Sequence, residues 1–258
     1  MAGIKRTILI TGASAGFGKA TAELFAANGW NIIITGRRKV RLELLERQLR
    51  EKYDVNVLSL VFDVRNNADV KTVFSNLPEN WNDIDVLINN AGLAAGLSSI
   101  QEGAVDDWEQ MIDTNVKGLL YVTRAVAPLM QARKKGHIVN IGSIAGKEVY
   151  ANGNVYCATK HAVDALTKAM RIDLLQHNIK VSQIAPGMAE TEFSLVRFKG
   201  DEQRAKSVYA GLQPLTAEDI AETIFWVVNR PAHVNINDIL IMPAAQANST
   251  TVNRHSAT

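Results

Sequence analysis

Seven short runs rich in Ile, Val and Leu alternate with segments of helical periodicity, and a glycine-rich turn follows the first run directly. Together these predict an α/β protein built on one doubly wound parallel sheet with helices on both faces. The runs are Thr7 to Thr11, Asn31 to Thr35, Val55 to Phe62, Val86 to Asn89, His137 to Ile141, Lys180 to Ile184 and Ile236 to Met242. Their nearly continuous apolar character suits parallel strands covered on both sides, because a strand with one wet face alternates apolar with polar. Helices are expected at Gly18 to Asn28, Lys39 to Lys52, Ala68 to Asn76, Val105 to Met130, Val155 to His177 and Ala217 to Asn229. Right-handed crossovers would stack them on the two faces. No repeat and no Pro/Gly/Ser-rich linker divides the chain, so a single domain is expected over residues 1–258. Within it a cofactor half spans about 1–140, a catalytic and substrate half about 141–245, and a polar tail 244–258. The tail lacks periodicity and is expected either to be disordered or to reach across a subunit boundary.

Composition narrows the partners. Lys and Arg number 28 against 26 Asp and Glu, a net charge of +2 that is too balanced for an electrostatic nucleic-acid or membrane-surface binder. Small-molecule partners are expected instead. Met1-Ala2-Gly3-Ile4-Lys5-Arg6 leads straight into the first strand, and no apolar run is long enough to cross a bilayer, so a cytoplasmic location is expected. Cys157 is the single cysteine, which excludes an intramolecular disulfide and suits a small buried residue. The five histidines and this cysteine show no metal-ligand spacing, so no metal site is expected.

Doubly wound sheets bind ligands beyond the carboxyl ends of their strands, and the distinctive motifs fall there. Thr11-Gly12-Ala13-Ser14-Ala15-Gly16-Phe17-Gly18 links the first strand to a helix. Glycines in such a turn allow backbone to approach a diphosphate, and the helix N-terminus offers unpaired N–H groups, as in a Rossmann-type fold. The second strand ends Gly36-Arg37-Arg38, where an NAD enzyme usually presents a carboxylate to the ribose. Two guanidiniums favour the extra phosphate of NADP; the alternative is a pair of solvated arginines ahead of a helix that also carries Arg41. Asp63-Val64 follows the third strand, with Asp63 placed either to accept from adenine or to cap the next helix. Asn89-Asn90-Ala91-Gly92 after the fourth strand either closes a turn or lines the ribose.

Tyr156 and Lys160 are four positions apart, so on a helix both point into one cleft, and Ser143 lies thirteen positions upstream of Tyr156. A neighbouring ammonium favours the phenolate. Lowering a tyrosine from about 10 to about 7 takes roughly 4 kcal/mol of differential stabilisation, which a buried ammonium assisted by a positively charged oxidised nicotinamide is expected to supply. The arrangement suits general acid/base chemistry on an alcohol or carbonyl.

The ordered set of Thr-Gly-x-x-x-Gly-x-Gly at 11–18, Asn-Asn-Ala-Gly at 89–92, Asn115, Ser143, Tyr156-x-x-x-Lys160 and Pro186-Gly187 resembles the short-chain dehydrogenase/reductase family over essentially the whole chain. Ala91 to Ala94, Met111 to Asn115, Thr191 to Asp201 and Pro231 to Asn237 are similar to its NADP-dependent 3-hydroxy acid dehydrogenase branch, also called serine 3-dehydrogenase or malonic semialdehyde reductase. The resemblance implies oxidation of L-serine, L-allo-threonine, 3-hydroxypropionate or 3-hydroxyisobutyrate, with reduction of the semialdehydes in reverse. It implies Tyr156 as general acid/base and Lys160 as the group that lowers its pKa and holds the nicotinamide ribose. Ser143 would bind the reacting oxygen, and Asn115 would hold a water through its helix backbone. NADP would contact Gly12, Ser14, Ala15, Gly16, Phe17, Gly18, Arg37, Arg38, Asp63, Val64, Asn90, Ala91, Gly92, Tyr156 and Lys160. The loop Pro186, Gly187, Met188 to Thr191 would complete that contact. Ala15 departs from relatives that place a basic residue there, which leaves phosphate selection to Arg37 and Arg38. Family members commonly form homotetramers through the two long helices, and the same is expected here.

Met188 to Gly200 is expected to fold over the site as a lid, with Arg197 and Lys199 as candidate partners of a substrate carboxylate or, alternatively, as part of a solvated surface helix. Two other functions fit the same residues: a broad NADPH-dependent carbonyl reductase, and a non-catalytic NADP sensor on the same fold.

Overall fold

Seven strands pair in the order β3-β2-β1-β4-β5-β6-β7. The structure, a computed structural model, describes residues 5–254. The strands are β1 (Thr7–Ile10), β2 (Asn31–Gly36), β3 (Val57–Val61), β4 (Ile84–Asn89), β5 (Gly136–Ile141), β6 (Ile179–Pro186) and β7 (Asp238–Ile241). All pairings are parallel. The strand order reverses between β1 and β4, which opens a crevice at their carboxyl ends. The doubly wound sheet and all seven predicted strands are present, with ends displaced by at most two residues.

The helices in chain order are α1 (Gly16–Ala27), α2 (Lys39–Lys52), α3 (Asn67–Ser75), α4 (Val105–Ile112), α5 (Leu119–Arg133), α6 (Asn154–Asp173), α7 (Glu192–Arg197), α8 (Glu202–Ser207) and α9 (Ala217–Val228). Period-two alternation decides what they cover. Ile8, Ile10, Ile32, Ile34, Val86 and Ile88 point to the face packed by α1, α2 and α9. Leu9, Ile33 and Leu87 point to the opposite face, under α3, α5 and α6. These nine side chains are fully buried, and each contributes about 1.5–3 kcal/mol of apolar burial. Among the described residues no helix is long and apolar enough to cross a membrane.

Two expectations need correction, and the lid gains detail. The periodicity over 105–130 predicts one helix, but a π-helical turn at Asp113–Gly118 separates α4 from α5. Such turns widen a helix locally and concentrate at functional sites; here the turn carries Asn115, whose side chain clasps the backbone of Leu93. The lid expected over Met188 to Gly200 carries α7, and α8 follows directly after it; both are six residues long, capped by Thr191 and Asp201, and too short for periodicity to reveal. The tail is not disordered as far as Arg254. It folds back through a bridge between Gln246 and Val252, and Arg254 donates to the carbonyls of Val208 and Ala210. Residues 255–258 of the predicted tail lie outside the described residues.

A polar row crosses the sheet just below the crevice. Asn89, Asn140, Gln183 and Asp238 are register partners on β4, β5, β6 and β7. Asn89 donates to Asn140 at 2.8 Å and to Thr123 of α5 at 2.9 Å, and Asn140 donates to Thr167 of α6 at 2.9 Å. Gln183 donates to Asp164 of α6 at 2.9 Å and to Asp238 at 3.4 Å, and the Lys147 ammonium bonds both carboxylates. Burial opposes the Asp164 charge, but the donors Lys147, Lys168 and Gln183 outweigh it and lower its pKa to about 2. These bonds offset the cost of burying Asn140, Gln183 and the Asn89 amide nitrogen, while Asn89 Oδ1 is buried without a partner.

Candidate active site

A cleft of about 490 Å³ opens over the carboxyl ends of β1, β4, β5 and β6, within the range of small-molecule sites. The residues expected to bind the cofactor or to take part in catalysis line it, apart from Gly18, Asn115 and Glu190 of the expected loop. At one end Gly12 and Gly16 adopt φ of 66° and 50°, left-handed values that favour glycine. A side chain at Gly18 would lie 2.6 Å from the Gly12 carbonyl oxygen and from Asn90 Nδ2, so this glycine serves the packing of α1 under the turn. No side chain caps α1, and its first turn holds no acidic residue. Its leading N–H groups are therefore available to an anion, and the turn fits a dinucleotide diphosphate.

Two short loops are laced at this point. The Thr11 hydroxyl accepts from the N–H groups of Asn90 and Ala91 at 3.0 and 2.9 Å, and Asn90 Nδ2 donates to the Thr11 and Gly12 carbonyls at 2.8 and 3.2 Å. Asn90 thus closes the turn while it also lines the cleft. Asp63 does not cap α3; Asn66 does, accepting from Ala68 and Asp69. The Asp63 carboxylate is forked by Arg65 at 2.7–3.1 Å, with Arg37 at 3.7 Å. Burial pushes its pKa up, and the bonds from Arg65 and the charge of Arg37 reverse that to a net lowering. Arg38 donates to Ser14 Oγ from Nε and Nη2 at 3.0 and 2.8 Å.

The other end holds Ser143, Tyr156 and Lys160. Tyr156 and Lys160 lie one turn apart on α6 and are 8% and 7% exposed, with the Lys160 Nζ 6.0 Å from the Tyr156 ring centroid. That ammonium donates to the Ile141 carbonyl at 2.8 Å. Burial lowers the Lys160 pKa to about 8. Burial, reinforced by Tyr150, raises the Tyr156 pKa above its ordinary value, against smaller pulls from Ser143 and the Arg197 charge. Desolvation disfavours the phenolate, and the Lys160 ammonium points at the Ile141 carbonyl. Asn115 accepts from the Leu93 N–H at 2.9 Å and donates to the Leu93 carbonyl at 2.8 Å and to Thr159 at 3.1 Å. Its side chain pins the loop after β4 to α6.

The lid supplies the outer wall. Phe193 packs 5.6 Å from Tyr156, ring to ring. Arg197 reaches the same place, its guanidinium 5.7 Å from the ring centroids of Tyr156 and Tyr150, donating to Tyr150 Oη at 3.1 Å and to the Gly96 carbonyl at 3.3 Å. It closes the last turn of α7, a helix whose Leu195 and Val196 are exposed, and its guanidinium turns inward to the cleft. Lys199 does not reach the cleft; it pairs with Asp107 at 3.0 Å.

Several cleft residues escape sequence reasoning. Tyr150, Tyr209 and Gln246 line the cleft without belonging to a recognisable motif, and Phe193 lies in the Thr191 to Asp201 stretch with no role assigned to it from sequence. Gln246 accepts from the Met188 N–H at 2.8 Å, and a side chain at Gly187 would lie 2.4 Å from its Oε1. Thr11 is legible as part of the glycine motif, but its bridging of β1 and β4 is not. Among the described residues no group of three His, Cys, Asp or Glu could hold a metal ion.

A cleft with an anion-binding turn at one end and a buried phenol and ammonium at the other is what a dinucleotide-dependent oxidoreductase requires. The chain belongs to the short chain dehydrogenase family, whose sequence profile matches residues 6–201. It is 51% identical over 241 residues to the NADP-dependent 3-hydroxy acid dehydrogenase YdfG of Salmonella typhi, covering 93% of this chain and 96% of that protein. Identity to the serine 3-dehydrogenase of Agrobacterium fabrum is 42%, covering 93% and 95%. A solved structure of the closed form of serine dehydrogenase complexed with NADP+ is similar at a TM-score of 0.90 and 46% identity, over 97% of this chain and 100% of that one.

Proposed function

We propose that the protein is an NADP-dependent dehydrogenase interconverting small 3-hydroxy acids and their 3-oxo forms, with L-serine, L-allo-threonine, 3-hydroxypropionate and 3-hydroxyisobutyrate as substrates. The observation that carries the acid specificity is Arg197: a guanidinium beside Tyr156 with no carboxylate among its partners in the described residues. The names of the relatives support the same substrate class.

NADP, when bound, supplies the hydride acceptor or donor. The chain handles the proton and the charge. In reduction the phenol of Tyr156, held protonated by burial, donates to the substrate oxygen; in oxidation it takes that proton back. Ser143 offers a second hydrogen bond to this oxygen, most valuable as negative charge develops there. Lys160 holds positive charge one helical turn away and stabilises the phenolate left behind. Arg197 orients the carboxylate so that the hydroxyl-bearing carbon faces the cofactor. The turn from Gly12 to Gly18 holds the diphosphate, and Arg37 and Arg38 hold the 2′-phosphate.

Absorbance of the reduced nicotinamide, followed with the four hydroxy acids and a neutral alcohol, tests this reading. NADP reduction with the acids and not the alcohol is expected; activity on the alcohol alone would replace it with a general reductase, and binding without turnover with a sensor. Arg197→Met is expected to raise KM for the acids by about 10–100-fold, the value of one charge-assisted hydrogen bond pair, while leaving any residual alcohol activity unchanged. Equal effects on both would sink the carboxylate contact.

Assembly as a homotetramer belongs to the same reading. Val105, Ile112 and Leu120 on α4 and α5 are exposed at 58%, 41% and 38%, and Ile172 on α6 at 76%. Exposed apolar side chains on these helices favour a partner surface. Light scattering in solution is expected to return four times the chain mass; a monomer would refute it.

A further inference from the structure

The arginines after β2 already hold an anion, and the chain itself provides it. Glu192, the first residue of α7, places one oxygen 2.9 Å from Nη1 of Arg38, and its two oxygens 2.7 and 2.9 Å from Nη1 of Arg41. The other edge of the Arg38 fork is on Ser14. Burial would raise the Glu192 pKa, but the bonds from Arg38 and Arg41 prevail and lower it. Its neighbours lock the same piece of lid in place. Thr191 lies against the diphosphate turn, where a side chain on Gly16 would come within 3.4 Å of it, and Phe193 packs on Tyr156.

We propose that Glu192 is an internal substitute for the 2′-phosphate of NADP: carboxylate and phosphate compete for Arg38 and Arg41, and this exchange tunes the preference for NADP over NAD. The inference rests on the reading that places the phosphate at Arg37 and Arg38, and it adds Arg41 to that subsite. A phosphate monoester carries more charge than a carboxylate and offers three acceptor oxygens, so it displaces Glu192 from guanidiniums. The 2′-hydroxyl of NAD is neutral and cannot. NADP binding is consequently weakened by the contacts it must break, and NAD binding is not.

Calorimetric titration of NADP and NAD into the wild type, Glu192→Gln and Arg38→Ala tests this without any turnover. Glu192→Gln is close in size to the original and sits at an exposed position, so the fold is preserved. It is expected to lower the Kd for NADP by about 3–30-fold, as for release of partly exposed ion pairs, with the Kd for NAD unchanged. Glu192→Ala should move NADP in the same direction. Arg38→Ala should weaken NADP and leave NAD alone. An unchanged or weakened NADP affinity in both Glu192 variants, with Arg38→Ala behaving as expected, overturns the competition alone. An Arg38→Ala protein that keeps the wild-type ratio of NADP to NAD affinity overturns the phosphate placement, and the competition with it.

Discussion

Replacing Tyr156 by Phe is expected to cut turnover by about 10²–10⁴-fold, the usual contribution of a general acid/base, while dinucleotide affinity changes less than about twofold. The ring is 8% exposed and packs on Phe193, so phenylalanine fills the same space and loses only the proton. No neighbour can take over. Ser143 accepts from the Ala145 N–H at 3.1 Å and is a far weaker acid at this position, and burial raises the pKa of Tyr150, whose oxygen accepts from Arg197. Steady-state rates and calorimetric cofactor titration on one preparation would check both halves; near-wild-type turnover with normal cofactor binding would remove Tyr156 from the chemistry.

Lys160→Met should separate activity from stability in opposite directions. Turnover is expected to fall by about 10²-fold or more, since the phenolate loses its nearby charge. The fold, in contrast, should become more stable. Lys160 is buried with a single carbonyl as partner and a pKa lowered from 10.5 to about 8, a difference that corresponds to roughly 3 kcal/mol against the charged folded form. Methionine has similar length and no charge to desolvate, so a gain of about 1–3 kcal/mol is expected at pH 7. The sign with pH follows. Below pH 8 the folded wild type bears the whole cost, and between pH 8 and 10.5 it releases its proton before the unfolded chain does. The advantage of the variant should therefore shrink as pH rises through that window. Denaturant midpoints at pH 7 and pH 10 would show it; a variant less stable than wild type at pH 7 would mean that the Ile141 contact outweighs the desolvation.

Much of this site is legible in the sequence because its geometry is local. Gly12, Gly16 and the start of α1 are contiguous, and Tyr156 and Lys160 share a helix face, so spacing alone brings them together. Arg37 and Arg38 are legible because the end of β2 is fixed relative to that turn by strand pairing. What stays hidden depends on distant chain. Glu192 meets Arg41 across 151 positions, and Gln246 reaches Met188 across 58. Charge alone makes Lys199 a candidate carboxylate partner, and only the fold shows Asp107 claiming it. The raised pKa of Tyr156 is hidden for a related reason: spacing along the chain reports the nearby cation but not how little water remains.

The row Asn89, Asn140, Gln183 and Asp238 bears on how the sheet is assembled. Aliphatic strands such as β1, β4, β5 and β6 present similar surfaces at every step, so a mispaired sheet of Ile and Val sacrifices little contact. Sliding one strand by a single residue turns all its side chains to the other face. For β5 that would carry the Asn140 amide away from Asn89 and Thr167, into the apolar layer beneath α1 and α9. Stranding a buried amide costs about 1–3 kcal/mol per group, and the loss would be repeated along the row. Parallel strands meet late, after long crossovers have closed. The row thus acts as a proofreading mark, accepting only the alignment in which the strand ends, and the loops that carry Gly12, Asn90 and Ser143, come out level.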